Sequence, residues 1–438
     1  MSRREEILKN FIEQESYTKE KVNSGIEENR KGYFKINIPD AKNIRIKANQ
    51  KDHEFRFGAN IFMLEQLETP EKNKMYKEYF AELFNMATLP FYWNTLEPVQ
   101  GQPRYDRNSP EVYRRPPIDL CMEFCEEYGI EPREHALAYE HFFPAWLRDK
   151  DTFTIKKEYS RRCREIAERY ADKIRTIEVT NETTGWGVED NVSSFYEDDD
   201  FIEWCFKETE KYFPNNQLVI NDFTGLWGND ARPRDVYYLQ IERALRNGAK
   251  IDAIGMQYHM FHRREDETRI NVPRYYNPWY LYRVMDLYSR FNKPLQVTEV
   301  TIPAYSNDAQ DEDLQAEILK NLYSIWFSHK NMEQIIYWNT VDGYAYNAEP
   351  GDMTAGENYY YGGLIRFDFT KKPAYKTLYN LIHKEWKTNT EITTDDNGNA
   401  EFKGFYGKYD ITFEVDGKTY TKEINCSKSK KNEFEIQL

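Results

Sequence analysis

From His53 onward, short apolar runs alternate with amphipathic stretches along the chain. The runs at 55–60, 85–91, 133–139, 176–181, 217–221, 251–257, 294–299 and 334–339 predict strands. The stretches at 71–84, 116–128, 156–172, 199–212, 235–247, 277–291 and 311–329 predict helices, and 372–388 predicts one more that closes the series. Runs such as "IDAIGMQ" and "KPLQVTE" are apolar and not alternating, as expected of strands covered on both faces. Eight strand–helix units over roughly 330 residues predict an α/β fold, a (β/α)8 barrel with enlarged loops.

At both ends of this series the period changes. Residues 1–30 are charged and helix-compatible. "GYFKINIPDAKNIRIKANQ" (32–50) alternates apolar and polar positions around a Pro-Asp turn, the pattern of a β-hairpin. After 388 the chain becomes rich in Thr, Gly and Asn, and "DNGN" and "VDGK" are tight-turn signals between alternating segments. The expected organisation is an N-terminal helix and β-hairpin extension (1–52), a catalytic barrel (53–388) and a small β-sandwich-like module (389–438), with the hairpin packing on that module.

In such a barrel, chemistry sits where the strands end. The third strand ends in "REHALAYEH", with His135, Tyr139, Glu140 and His141. The fourth ends in Asn181 and Glu182, the sixth offers Gln257 and His259, the seventh ends at Glu299, and the eighth gives Trp338 and Asp342. Taken singly, each Glu is as well explained as a solvated loop residue, and His135 or Trp338 as core. Together they converge on one barrel mouth. Two carboxyls facing each other there are what glycoside hydrolysis requires: one protonates the leaving oxygen, the other attacks the anomeric carbon or activates water. Glu182 is expected to need a raised pKa, and His259 to hydrogen-bond Glu299 and hold it ionised.

Composition sharpens this picture. Aromatic residues make up 16% of the 438 positions, with 34 Tyr, 26 Phe and 9 Trp. Aromatic faces beside polar rims suit the C–H faces of sugars. A net charge of −14 disfavours nucleic acid and anionic lipid as partners and leaves a neutral β-linked saccharide as the expected one. The five cysteines, Cys121, Cys125, Cys163, Cys205 and Cys426, are odd in number and form no zinc-type pair, which predicts free thiols in a reducing compartment. The absence of a signal-peptide-like or membrane-spanning run predicts a cytoplasmic protein, provided that the numbered start is native. No phosphate loop, HExxH or GxSxG is present. No cofactor and no metal are expected, and oligomeric state and endo or exo action are left open.

The strand-end segments resemble glycoside hydrolase family 10, the retaining β-1,4-xylanase family, over about 55–386. "EHALAYEHFFPAWL" (134–147) resembles G-H-x-L-x-W-H-x-x-x-P-x-W, "IEVTNET" the acid/base segment, "IGMQYH" the G-x-Q-x-H segment, "VTEVT" the nucleophile segment I-T-E-L-D, "YWNTVDGYAY" the sugar-stacking segment, and "GGLIRFDFTKKPAY" the closing motif. The resemblance implies a (β/α)8 barrel without a metal requirement, hydrolysis with retention, and carboxyls about 5–5.5 Å apart. It makes Glu182 the acid/base and Glu299 the nucleophile. Asn181, Gln257 and His259 fall beside them, and Trp338, His135, Tyr139 and Trp93 are implied to bind substrate. The sequence also departs from the family. Leu89, Pro90, Phe91 and Tyr92 stand where T-x-E-N-x-M-K-W would supply polar sugar ligands, and Tyr139 and Glu140 replace the usual Trp and His. The expectation is therefore β-1,4-xylosidic hydrolysis of xylan or xylo-oligosaccharides. The alternatives are the same chemistry on another β-glycoside (a decorated oligosaccharide or aryl glycoside) and a catalytically dead carbohydrate-binding barrel.

Overall fold

A computed structural model describes residues 2–185, 193–229 and 231–437. Two strands precede the barrel, β1 (Lys31–Asn37) and β2 (Arg45–His53). The barrel strands are β3 (Arg56–Asn60), β4 (Met86–Pro90), β5 (Glu131–His135), β6 (Thr176–Asn181), β7 (Gln217–Asn221), β8 (Ala253–Gly255), β9 (Tyr258–His259), β10 (Leu295–Thr301) and β11 (Met332–Tyr337). All pair in parallel, and β11 bonds both β10 and β3, so the sheet closes on itself. The predicted sixth strand is broken. β8 and β9 both run along β10, and Met256 and Gln257 form the break between them.

The intervening helices start where the sequence supplies caps. Thr69 precedes Pro70 and accepts from the Lys72 N–H, Asp151 accepts from Thr154, and Asn277 precedes Pro278 and accepts from Tyr280. Gly129, at φ 66, ends helix Ile118–Tyr128 in the left-handed conformation that glycine adopts without cost. The N-terminal helix Glu15–Asn29 packs along Ala309–Ser328 of the outer ring. A Cβ at Gly25 would sit 2.5 Å from the Ser328 carbonyl oxygen, so only glycine permits this approach. Among the described residues, no helix is long and apolar enough to cross a membrane, and all five cysteines are buried free thiols.

The hairpin expected over 32–50 does not form. β1 and β2 are strands, but each takes partners from the other end of the chain. β1 pairs with β13 (Asn399–Phe405) and β16 (Glu433–Glu435). β2 pairs with β12 (Asn389–Thr393) and β14 (Gly407–Val415), and β15 (Lys418–Cys426) completes that second sheet. One apolar core, with Phe34, Ile46, Phe402, Tyr409, Ile411 and Phe413, draws on both sheets. The sandwich is thus built jointly by the two termini. It meets the barrel where β3 begins: Phe57, Phe327 and Trp386 stack there, with Phe327 and Trp386 centroids 4.2 Å apart, and Phe405 of the sandwich reaches the same cluster.

Candidate active site

At the opposite end, the strands deliver polar side chains into a cleft of about 1040 Å³. Glu182 follows β6 directly. Its backbone is left-handed, φ 53, and its N–H is held by the Asn221 carbonyl at 3.1 Å. A non-glycine residue in this region is strained, and such strain persists where the surroundings fix it. The Glu182 carboxyl accepts from Tyr139 Oη at 2.6 Å and from Gln257 Nε2 at 2.9 Å.

Glu299 lies within β10 and is 4% exposed. Its Oε1 accepts from Gln257 Nε2 at 3.0 Å and Asn221 Nδ2 at 3.2 Å, and its Oε2 from His259 Nε2 at 3.1 Å. One amide nitrogen of Gln257, set in the break between β8 and β9, therefore bonds both carboxyls. These two bonds hold the two Oε1 atoms within about 6 Å of each other.

Burial is the main force on this site's ionisation. It pushes Glu299 well above the usual carboxylate range; His135 acts against it, and the Glu178 and Glu182 carboxylates add to it. Burial also lowers His259 to about 4. The bond to Glu299 thus comes from a neutral imidazole, with Nδ1 facing the Thr301 hydroxyl at 2.9 Å. Beneath the pair, Glu178 is fully buried. Burial would raise it, but His135 and Arg133 outweigh that, so it lies below the ordinary range. His135 Nδ1 bonds Glu178 at 2.8 Å, and its Nε2 faces Tyr92 Oη at 2.9 Å. His135, Glu178 and Glu299 bring ligand-type atoms within 4.8 Å of one another, yet Arg133, bonded to Glu178, already supplies a cation there.

Trp338 is packed edge-on against Phe62 (5.2 Å), His135 (5.4 Å) and His259 (6.0 Å) and lines the cleft. His135, Tyr139, Asn181, Glu182, Gln257, His259, Glu299 and Trp338 all line this one cleft, as the strand-end reading requires.

Trp93 does not. It is 3% exposed and lies behind the cleft, edge-on to Tyr159 and Trp146, with Nε1 donating to Glu97 Oε2 at 3.2 Å. The short helix Trp93–Leu96 turns its ring toward helix Thr152–Tyr170, so its expected sugar contact is corrected to a packing role. Asp342 is likewise a structural group: it pairs with buried Lys372 at 2.5 Å and accepts from the Gly363 N–H.

Sequence reasoning passed over Asn221, which ends β7 and donates to Glu178, Asn181 and Glu299. The strand-end rule that found Glu182 applies equally to "LVIND" and would have found it. Arg114 and Arg115, on the long loop after β4, also line the cleft, and no local pattern marks them.

A closed (β/α)8 barrel with two carboxyls and a tryptophan gathered at the ends of its strands has the form of a glycoside hydrolase. The chain belongs to glycosyl hydrolase family 10, whose profile matches residues 47–381. It is 25% identical to anti-sigma-I factor RsgI6 of Acetivibrio thermocellus, over 93% of this chain and 48% of that protein. It is 23% identical to endo-1,4-beta-xylanase 2 of Arabidopsis thaliana, over 84% of this chain and 30% of that protein. The chain thus spans about half or less of the length of these curated relatives. Xylanase 10B from Thermotoga petrophila, solved with xylobiose, shares the fold, with a TM-score of 0.58, 20% identity, and coverage of 76% of this chain and 95% of that one.

Proposed function

We propose that the chain hydrolyses β-1,4-xylosidic bonds in xylan or xylo-oligosaccharides by double displacement. Glu299 attacks the anomeric carbon while Glu182 protonates the departing oxygen; Glu182 then takes a proton from the water that releases the sugar from Glu299. The observation that carries this reading is the Gln257 amide bonded to both carboxyls. An upper bound of about 6 Å between the two Oε1 atoms is in keeping with the roughly 5–5.5 Å carboxyl spacing of retaining enzymes. Burial pushes Glu299 up, against the charged form that attack requires. Donation from Asn221, Gln257 and neutral His259 then stabilises charge on Glu299.

A second reading is a saccharide-binding barrel that acts without turnover. The anti-sigma-I factor match extends over 93% of this chain, whereas the solved xylanase 10B covers 76%, so that relative reaches beyond the barrel. Chromatography of xylo-oligosaccharides after incubation separates these readings, with Glu299→Ala as control. Xylose or xylobiose released by wild type alone supports hydrolysis. Binding without release supports the second reading, and neither outcome points to another β-glycoside.

A further inference from the structure

The polar grip expected after β4 is absent, and its replacement has a distinct chemistry. Tyr92 bonds His135 and carries the guanidinium carbon of Arg115 over its ring at 4.2 Å. Phe62 and Phe142 flank the same guanidinium at 5.1 Å each, and Phe62 also packs edge-on against Trp338. Arg115 is 5% exposed and lines the cleft. A guanidinium has five N–H donors. Among the described residues this one makes a single hydrogen bond, from Nη1 to the Arg114 carbonyl at 2.8 Å, and Nε is buried without a partner. No ion pair to Arg114 or Arg115 exists among the described residues. The nearby Glu357 carboxyl accepts instead from Asn339 Nδ2 at 2.7 Å.

The loop is built to hold this cation. Arg104 donates to the carbonyls of Thr95, Pro110 and Arg115. Gln66 accepts from the Arg114 N–H at 2.6 Å and donates to Val112. Arg114 Nη2 reaches Asn339 at 2.8 Å. Elsewhere Arg133 pairs with Glu178 although its Nε and Nη1 lack partners, Arg30 donates to three carbonyls, and Arg162 to two. Burying a cation without a counter-charge is costly, and the cost falls when a ligand brings one. Burial lowers Arg115 to about 10, which leaves it charged at neutral pH.

We propose that Arg115, backed by Arg114, forms a carboxylate-reading subsite beside the Trp338 floor, so that the chain prefers a β-1,4-linked oligosaccharide bearing a uronic-acid branch. This rests on the saccharide-hydrolase reading above and names its substrate class. A planar guanidinium matches a carboxylate bidentately, which a lysine cannot do.

The test uses two xylo-oligosaccharides of equal length, one linear and neutral, the other with a single glucuronosyl branch. Binding of each is measured by calorimetry in the Glu299→Gln background, with Arg115 present or replaced (R115M, R115K). The expected result is that the branched sugar binds about tenfold or more tighter than the linear one when Arg115 is present. R115M brings that ratio close to one, and R115K keeps only part of it. Raising salt narrows the ratio in the Arg115 protein, a readout that needs no folded variant. A ratio near one with Arg115 present, or a ratio unchanged in R115M, overturns the subsite while leaving the hydrolase reading intact. A packing role alone would weaken both sugars equally. Failure of both sugars to bind rejects the underlying reading as well.

Discussion

The two ends of the barrel are made from the same strands and do opposite work. Where the strands begin, aromatic rings of β3, Phe327, Trp386 and Phe405 close the barrel against the sandwich. Where they end, the buried groups are carboxyls, amides and imidazoles that satisfy one another. The first end stores stability in dispersion and burial. The second accepts a left-handed Glu182 and a carboxyl raised by burial. The sandwich reinforces the end opposite the cleft, so the strained end is carried by a scaffold braced away from it.

The sharpest test of this division is Glu299→Ala. Activity on whichever β-glycoside is cleaved should fall about 10⁴-fold or more, while the protein stays folded. Activity within tenfold of wild type would break the assignment of the chemistry to this end. At the other end, Phe327→Ala should cost about 3–5 kcal/mol in denaturant unfolding, with the kcat of the folded protein near wild type. A large fall in kcat at unchanged stability would show that the two ends are not separate.

Glu134 probes the wall between them. Burial pushes its carboxyl up to about 8. The native state therefore keeps a proton that the unfolded chain loses above its ordinary value near 4.5. Wild-type stability should decline as pH rises from about 4.5 towards about 8, and Glu134→Gln should remove that slope, a gain on the order of a few kcal/mol at pH 8 and none at pH 4. Thermal melts of both proteins across that range read it directly, and parallel curves would refute it.

Smaller effects sharpen the edge of the cleft. Tyr139→Phe removes the 2.6 Å bond to Glu182 and should lower kcat/KM about tenfold. Trp93→Phe should change KM less than about twofold, because the ring packs behind the cleft; a large rise in KM would restore it as a sugar contact.

How much of this was readable from the chain follows from where each signal resides. The barrel was legible because alternation of apolar runs and amphipathic helices is a local property, and Glu182, Gln257, His259 and Glu299 were legible because each sits where such a run stops. Position along a strand then implies position in space. What the sequence did not specify were partners and directions. The alternation at 32–50 marks two strands but not whom they pair with; β1 finds Asn399–Phe405 because a sheet edge is satisfied by any strand that arrives beside it. Trp93 lies three residues after the end of β4, close enough to count as a strand-end residue, yet a single helical turn aims it away from the cleft. The bond of one Gln257 amide to two carboxyls 117 positions apart joins three strands of the barrel, and Arg115 folds back onto Tyr92 from further along the same connection. Hydrophobic periodicity fixes which residues are inside, because burial is an average over many contacts. Hydrogen bonds and cation placement depend on single distances and angles, and only the closed barrel sets those.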